Sequence, residues 1–133
     1  LDTMVFVYAF ERHPDYGSLA QAIFRALEEG LCQGCVSVLA LGEVLTGVKK
    51  VQNPELLLRY RDVFQRFPGL TLVDADVVVM EHMSDLRVRY GIPTPDAIHL
   101  GTALARGASA FLTNDVRLQK VTEVETLMLA EFV

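Results

Sequence analysis

Short apolar runs and helix-patterned segments alternate along this chain from end to end, and the links between them are only a few residues long. Strands that alternate with helices through short connections imply a parallel sheet with helices on both faces. Met4 to Phe10 is apolar and short. His13-Pro14-Asp15 then opens a helix in which Leu19, Ile23, Ala26 and Leu27 recur at helical spacing, with Gly30 in the C′ position. Cys35 to Val38 is a short strand and Leu39 to Val48 a helix. Asn53-Pro54-Glu55 combines an N-cap, a proline at N1 and an acid in the first turn, so a helix runs from there to about Arg66, where Pro68-Gly69 stops it. Leu70 to Val73 is a strand. Asp74 or Asp76 caps a helix to Tyr90, ended by Gly91, whose stripe of Val77, Met80, Met83 and Leu86 faces a core or a second subunit. Thr94-Pro95-Asp96 opens the next helix, which ends near Arg106-Gly107. Ala110 to Thr113 and Val124 to Leu129 are the last strands. The expectation is one α/β domain over residues 1–133, a central parallel sheet of four or five strands flanked by helices. Leu1 leaves almost no strand ahead of Asp2, so the first strand is expected to be clipped at its N-terminal end.

Four acids, Asp2, Glu43, Asp96 and Asp115, fall where strand-like runs give way to helix-like ones or one turn into the helix. In an open α/β sheet, sites form outside the carboxyl ends of the strands. Asp2 and Asp115 belong there directly, while Glu43 and Asp96 lie on helices whose first turns face the same crevice. Clustered, partly buried carboxylates are costly unless something positive compensates them. A divalent ion is the economical candidate, and oxygen ligands suit Mg²⁺ or Mn²⁺. Such a site points towards phosphate-ester chemistry. Taken singly, each acid also has a plain structural reading. Asp2 suits a turn, Glu43 a solvated helix face, Asp96 a first-turn cap and Asp115 an Asx-turn. Asp96 stands near N2 of its helix, at the positive end of the helix dipole, which favours its ionised form.

Composition narrows the partners. The net charge of −5 argues against a protein that grips nucleic acid through a broad basic face. It leaves room for a nuclease, because bound metal supplies positive charge locally. Apolar residues make up 51% of the chain, which implies a protein-binding surface, a homodimer face being the first expectation. No apolar run approaches the roughly 20 residues of a membrane helix, and no signal-peptide pattern is present, so the expected compartment is the cytoplasm. Cys32 and Cys35 form a C-x-x-C that follows a helix and enters a strand, the reverse of the redox arrangement. His13, His82 and His99 are too dispersed to complete a zinc site. The pair reads as two small buried residues at a helix–strand junction.

Several of these pieces recur together. LDT at the start, Ser37 and Glu43 in S-x-x-x-x-x-E, TPDAIHLGTAL from Thr94, and TND at Thr113 to Asp115 resemble a PIN-domain ribonuclease, and in particular the toxin subunits of VapBC-type toxin–antitoxin pairs. The resemblance covers nearly the whole chain in order. It implies a PIN-like three-layer fold and a metal-dependent endoribonuclease. Asp2, Glu43, Asp96 and Asp115 would be the metal-binding carboxylates. Thr113 and Asn114 would help shape the site, with Ser37 as a supporting hydroxyl. It also implies an RNA substrate, an inhibitory antitoxin protein and a homodimer. One departure stands out: Met4 occupies the position where the family commonly has Asn, two residues after the first Asp.

His99 lies three residues after Asp96 and so shares its helix face. It is either an acid/base group or a histidine packed beside the site. Arg12, Lys49, Lys50, Arg87, Arg89 and Arg117 are candidates to meet phosphates, though most lie where solvated surface is expected. Two rivals remain. A PIN-like module that binds RNA or protein without turnover is favoured only by Met4. A phosphatase of the haloacid-dehalogenase type needs an acid where Met4 stands.

Overall fold

The computed structural model describes residues 1–133. In order, the elements are α1 (Thr3–Phe10), α2 (Gly17–Glu28), β1 (Gly34–Ser37), α3 (Val38–Val51), α4 (Pro54–Arg66), β2 (Leu70–Val73), α5 (Val77–Tyr90), α6 (Thr94–Ala105), β3 (Ala110–Thr113) and β4 (Glu125–Met128). A 3₁₀ turn, Val116–Lys120, joins β3 to β4, and another, Leu129–Phe132, follows β4. β1 pairs in parallel with β2, Gly34 opposite Leu70 and Ser37 opposite Val73. β3 pairs in parallel with β4, Ala110 opposite Glu125 and Thr113 opposite Met128.

The first two residues join these pairs. The Leu1 amine donates to the Cys35 carbonyl at 2.9 Å, and the Asp2 N–H donates to the Leu112 carbonyl at 2.9 Å. Two residues are too few to form a strand, yet they lie between β1 and β3 and bond to both. The order across the molecule is therefore β2, β1, Leu1–Asp2, β3, β4, the parallel arrangement that the alternating sequence implies.

Successive side chains of a strand point to opposite faces, and β3 shows what each face meets. Phe111 enters a cluster with Leu86, Leu100 and Leu118, from α5, α6 and the 3₁₀ turn. Leu112 packs instead against the cluster of Phe6, Phe24, Val36 and Phe64. The helices thus cover both faces. In the second cluster Phe6 stacks on Phe64 with ring centroids 4.4 Å apart and meets Phe24 edge-on at 5.1 Å. Such pairs add roughly 0.5–1.5 kcal/mol each beyond area burial.

The run from Met4 to Phe10 becomes helix because Asp2 caps it. Asp2 is extended, and its carboxylate accepts the Thr3 N–H at 2.8 Å. Val5, Phe6, Tyr8 and Ala9 are all buried, so the run carries no polar stripe that would have marked its period. Three expectations need correction. The second helix begins at Gly17 rather than at His13-Pro14, because His13 Nδ1 accepts the N–H groups of Asp15 and Tyr16 and holds a turn first. On α5 the fully buried residues are Val79 and Leu86, while Val77 is 76% exposed. Cys32 is exposed rather than buried.

α6 approaches α5 closely at Gly101. A Cβ there would lie 3.0 Å from the Val79 carbonyl oxygen and 3.2 Å from the Met83 nitrogen. The glycine in PDAIHLGTAL is thus a packing requirement, and it fixes the helix that carries Asp96 and His99. Gly101→Val is expected to cost about 1–3 kcal/mol by overpacking this contact, read as a lowered midpoint in urea unfolding.

Candidate active site

A cleft of about 820 Å³ opens where Leu1–Asp2 and β3 end. Asp2 and Thr3 enter it from the start of α1, Glu43 from α3, Asp96 and His99 from α6, and Asn114, Asp115 and Arg117 from the segment after β3. The four acids singled out in the sequence, remote from one another along the chain, therefore line one cleft.

Asp2 is the most buried of them, 9% exposed. One of its oxygens accepts the Thr3 N–H, and the other accepts the Thr113 hydroxyl at 2.6 Å. The same hydroxyl accepts the Asp115 N–H at 3.1 Å. A hydroxyl can donate once and accept as well, so Thr113 fixes the first acid of the chain and the backbone of the last.

Glu43 is held from two sides. The Thr3 hydroxyl donates to its Oε1 at 2.8 Å, and His99 Nε2 lies 2.7 Å from the same oxygen. The hydrogen belongs on Nε2, because a carboxylate oxygen only accepts. His99 is 4% exposed, and its Nδ1 is buried without a hydrogen-bond partner. His99 lines the cleft and holds Glu43 through Nε2.

Asp96 sits in the first turn of α6, at its third residue. Burial pushes its pKa above the ordinary aspartate value, and the charges of Asp2 and Asp115 push it further in the same direction. Asp115 moves the other way. It caps the 3₁₀ turn, and bonds from Arg117 hold its pKa below the usual value. Arg117 Nη2 lies 2.6 Å from Asp115 and 3.7 Å from Asp96. Arg117 is the only lysine or arginine that lines the cleft. Lys49 and Lys50 lie in the last turn of α3, outside it.

No group of three Asp, Glu, His or Cys side chains stands close enough together to hold a metal ion as the side chains now point. Thr3 and His99 bond to one oxygen of Glu43, and Arg117 bonds to both oxygens of Asp115. The donor set nonetheless fits a hard divalent cation. It is all oxygen, and two of its members, Asp2 and Asp115, are near enough to raise the pKa of Asp96.

Of the other residues the sequence singled out, Asn114 lines the cleft and its Oδ1 accepts the Ala130 N–H at 3.0 Å, tying the chain end to the site. Ser37 is buried beneath α3, where its hydroxyl accepts the Leu39 N–H at 3.1 Å and caps the helix. Met4 lies on the cleft wall, 42% exposed. Sequence reasoning passed over Thr3. It stands in the LDT motif as the first residue of α1, and that position was the available signal.

A family model described as the PIN domain matches residues 1–124. No curated protein sequence matches the chain. Among solved structures, a chain of VapBC2 from Rickettsia felis, bound to a DNA fragment from the promoter, superposes with a TM-score of 0.76 at 21% identity; 96% of this chain and 95% of that one are covered. A toxin–antitoxin complex from Klebsiella pneumoniae gives 0.74 at 20% identity, covering 96% and 94%. DNA-bound VapBC from Salmonella typhimurium gives 0.75 at 19% identity, covering 96% and 95%.

The raised pKa of Asp96 makes a stability prediction. The folded state holds this proton to higher pH than the unfolded chain does. The associated stability is present in full below the ordinary aspartate value of about 3.9 and is lost as pH rises through the folded value. Asp96→Asn removes that loss. Tm should therefore rise at pH 7, by an amount that solvent screening keeps small, with the gain disappearing at pH 3 in thermal melts.

Proposed function

The chain belongs to the PIN-domain family, and from that premise we propose that it is a divalent-metal-dependent endoribonuclease, the toxin of a toxin–antitoxin pair. The observation that carries this reading is the meeting of Asp2, Glu43, Asp96 and Asp115 in one cleft from four separate stretches of chain. Asp2, Asp96, Asp115 and Glu43 would hold Mg²⁺ or Mn²⁺. When bound, the ion supplies positive charge against phosphate oxygens and makes water acidic enough to attack near neutral pH.

The chain's own residues prepare the site. Thr113 and the Thr3 N–H occupy one acceptor direction on each oxygen of Asp2, so this carboxylate is fixed before anything binds. Thr3 and His99 both bond to Oε1 of Glu43, which leaves Oε2 without a protein hydrogen bond. Pre-fixed acceptors reduce the reorganisation that binding and reaction would otherwise require. A phosphodiester chain is the fitting substrate class, since the cleft is open and the hydrolysis needs no group from the sugar. RNA is the member of that class that the family suggests.

The solved structures similar in fold are toxin–antitoxin complexes, which supports an antitoxin as partner here. Away from the acids the cleft is walled by Val7, Val44, Val48 and Val51, an apolar continuation suited to a protein segment. Val77 and Val88 on α5, 76% and 89% exposed, support a further protein contact such as a homodimer face. No helix is long and apolar enough to cross a membrane, and the cytoplasm is the compartment we propose. A second reading, a PIN-like module that binds RNA without cutting it, is favoured by the separation of the carboxylates and by Met4 in place of an amide.

Incubation with Mn²⁺ and a pool of cellular RNA separates the two. The nuclease reading predicts cleavage that EDTA abolishes and that Asp96→Asn reduces at least about 100-fold, as loss of a contact worth several kcal/mol requires. RNA left equally intact by wild type and variant, with Mn²⁺ in excess, would favour the binding module.

A further inference from the structure

We infer that Arg117 is a built-in competitor of the divalent ion: its guanidinium holds Asp115 and Asp96 in the cleft, and the ion must displace it to fill the site. This rests on the metal-dependent reading above and adds a residue that sets how much metal the site requires.

The geometry is specific. Asp115 and Arg117 are two residues apart at the start of the 3₁₀ turn, and the bonds between them close a local fork. The Arg117 N–H donates to Asp115 Oδ1 at 3.0 Å. Its Nε donates to the same carboxylate, 3.0 Å from Oδ1 and 3.1 Å from Oδ2, and Nη2 donates to Oδ2 at 2.6 Å. The same Nη2 faces Asp96 Oδ2 at 3.7 Å, across from a different element. One cation therefore spans two of the four acids, and it is the only lysine or arginine lining the cleft.

Arg117 is held by charge and not by burial, since its side chain is 63% exposed. A fork of this kind is geometrically favourable, but at this exposure each ion pair is worth little and is easily exchanged. That combination suits a placeholder. A guanidinium cannot substitute for an ion bound by several oxygens, yet it keeps the oxygens of Asp115 turned towards itself until one arrives. The apparent affinity for metal is then the intrinsic affinity reduced by the fraction of molecules in which Arg117 has let go. An acidic cleft lacking this arginine would fill at lower metal concentration.

The test is a calorimetric titration with Mn²⁺ alone, on wild type, Arg117→Gln and Arg117→Lys, with Asp96→Asn as reference. Arg117→Gln should bind Mn²⁺ about three- to tenfold more tightly than wild type. Arg117→Lys keeps the charge but loses the fork, and should fall between them. A second measurement reads the exchange directly. In the wild type, the Arg117 Nε–H resonance in a ¹⁵N spectrum should be protected from solvent without metal and should lose that protection as Mg²⁺ is added. The inference is overturned if wild type binds Mn²⁺ and Arg117→Gln binds it equally or more weakly, or if the resonance does not respond to Mg²⁺; the metal reading would survive either result. If neither wild type nor variant binds Mn²⁺, both readings fall.

Discussion

Leu1 and Asp2 are bonded to both halves of the molecule at once. The Leu1 amine reaches β1 and the Asp2 N–H reaches β3, and without these two bonds the strand pairs share no hydrogen bond across the middle of the sheet. The Asp2 side chain extends the same connection. It caps α1 through Thr3 and receives the Thr113 hydroxyl at the end of β3. Asp2 thus starts a helix, bonds to β3 through backbone and side chain, and places a carboxylate in the cleft, while Leu1 makes the bond to β1. Removing that carboxylate affects architecture and chemistry together, so a substitution at Asp2 is a poor probe of function. Asp96, in the first turn of its own helix, is a cleaner one.

The cleft stores repulsion that the remaining contacts manage. Thr3 and His99 on Glu43, Thr113 on Asp2 and Arg117 on Asp115 supply the donors that hold these acids without metal. Asp96 keeps a raised pKa through burial and the charges of Asp2 and Asp115, and the Arg117 guanidinium that opposes them lies closer to Asp115. A site arranged for a divalent ion is expected to cost stability when it lacks one, and strained or repulsive groups gather where function needs them. His99 fits the same pattern: its buried, unpartnered Nδ1 is the cost of presenting Nε2 to Glu43.

Much of this was legible in the sequence because the punctuation is local. Asn53 caps α4 through the Leu56 N–H, and Gly91 adopts the left-handed conformation that ends α5, as their residue types require. The parallel order followed from alternation and short links. What escaped was decided by packing over distance. A helix buried nearly all round, like α1, shows no period to read. The face α5 buries is set by how closely Gly101 lets α6 approach, and nothing in α5 itself records that. In the site, the four acids could be named because each belongs to a short motif. That Thr3 reaches Glu43 forty residues on and that Arg117 spans two acids depend on three-dimensional placement.

The central claim is that these four carboxylates form one cation site. Crystals soaked in Mn²⁺ and measured at the manganese absorption edge test it most directly. The account predicts an anomalous peak in the cleft at coordination distance from carboxylate oxygens of Asp2 and Asp96, with the Arg117 guanidinium moved off Asp115. A cleft without a peak at millimolar Mn²⁺, or manganese bound only at unrelated surface acids, would contradict it.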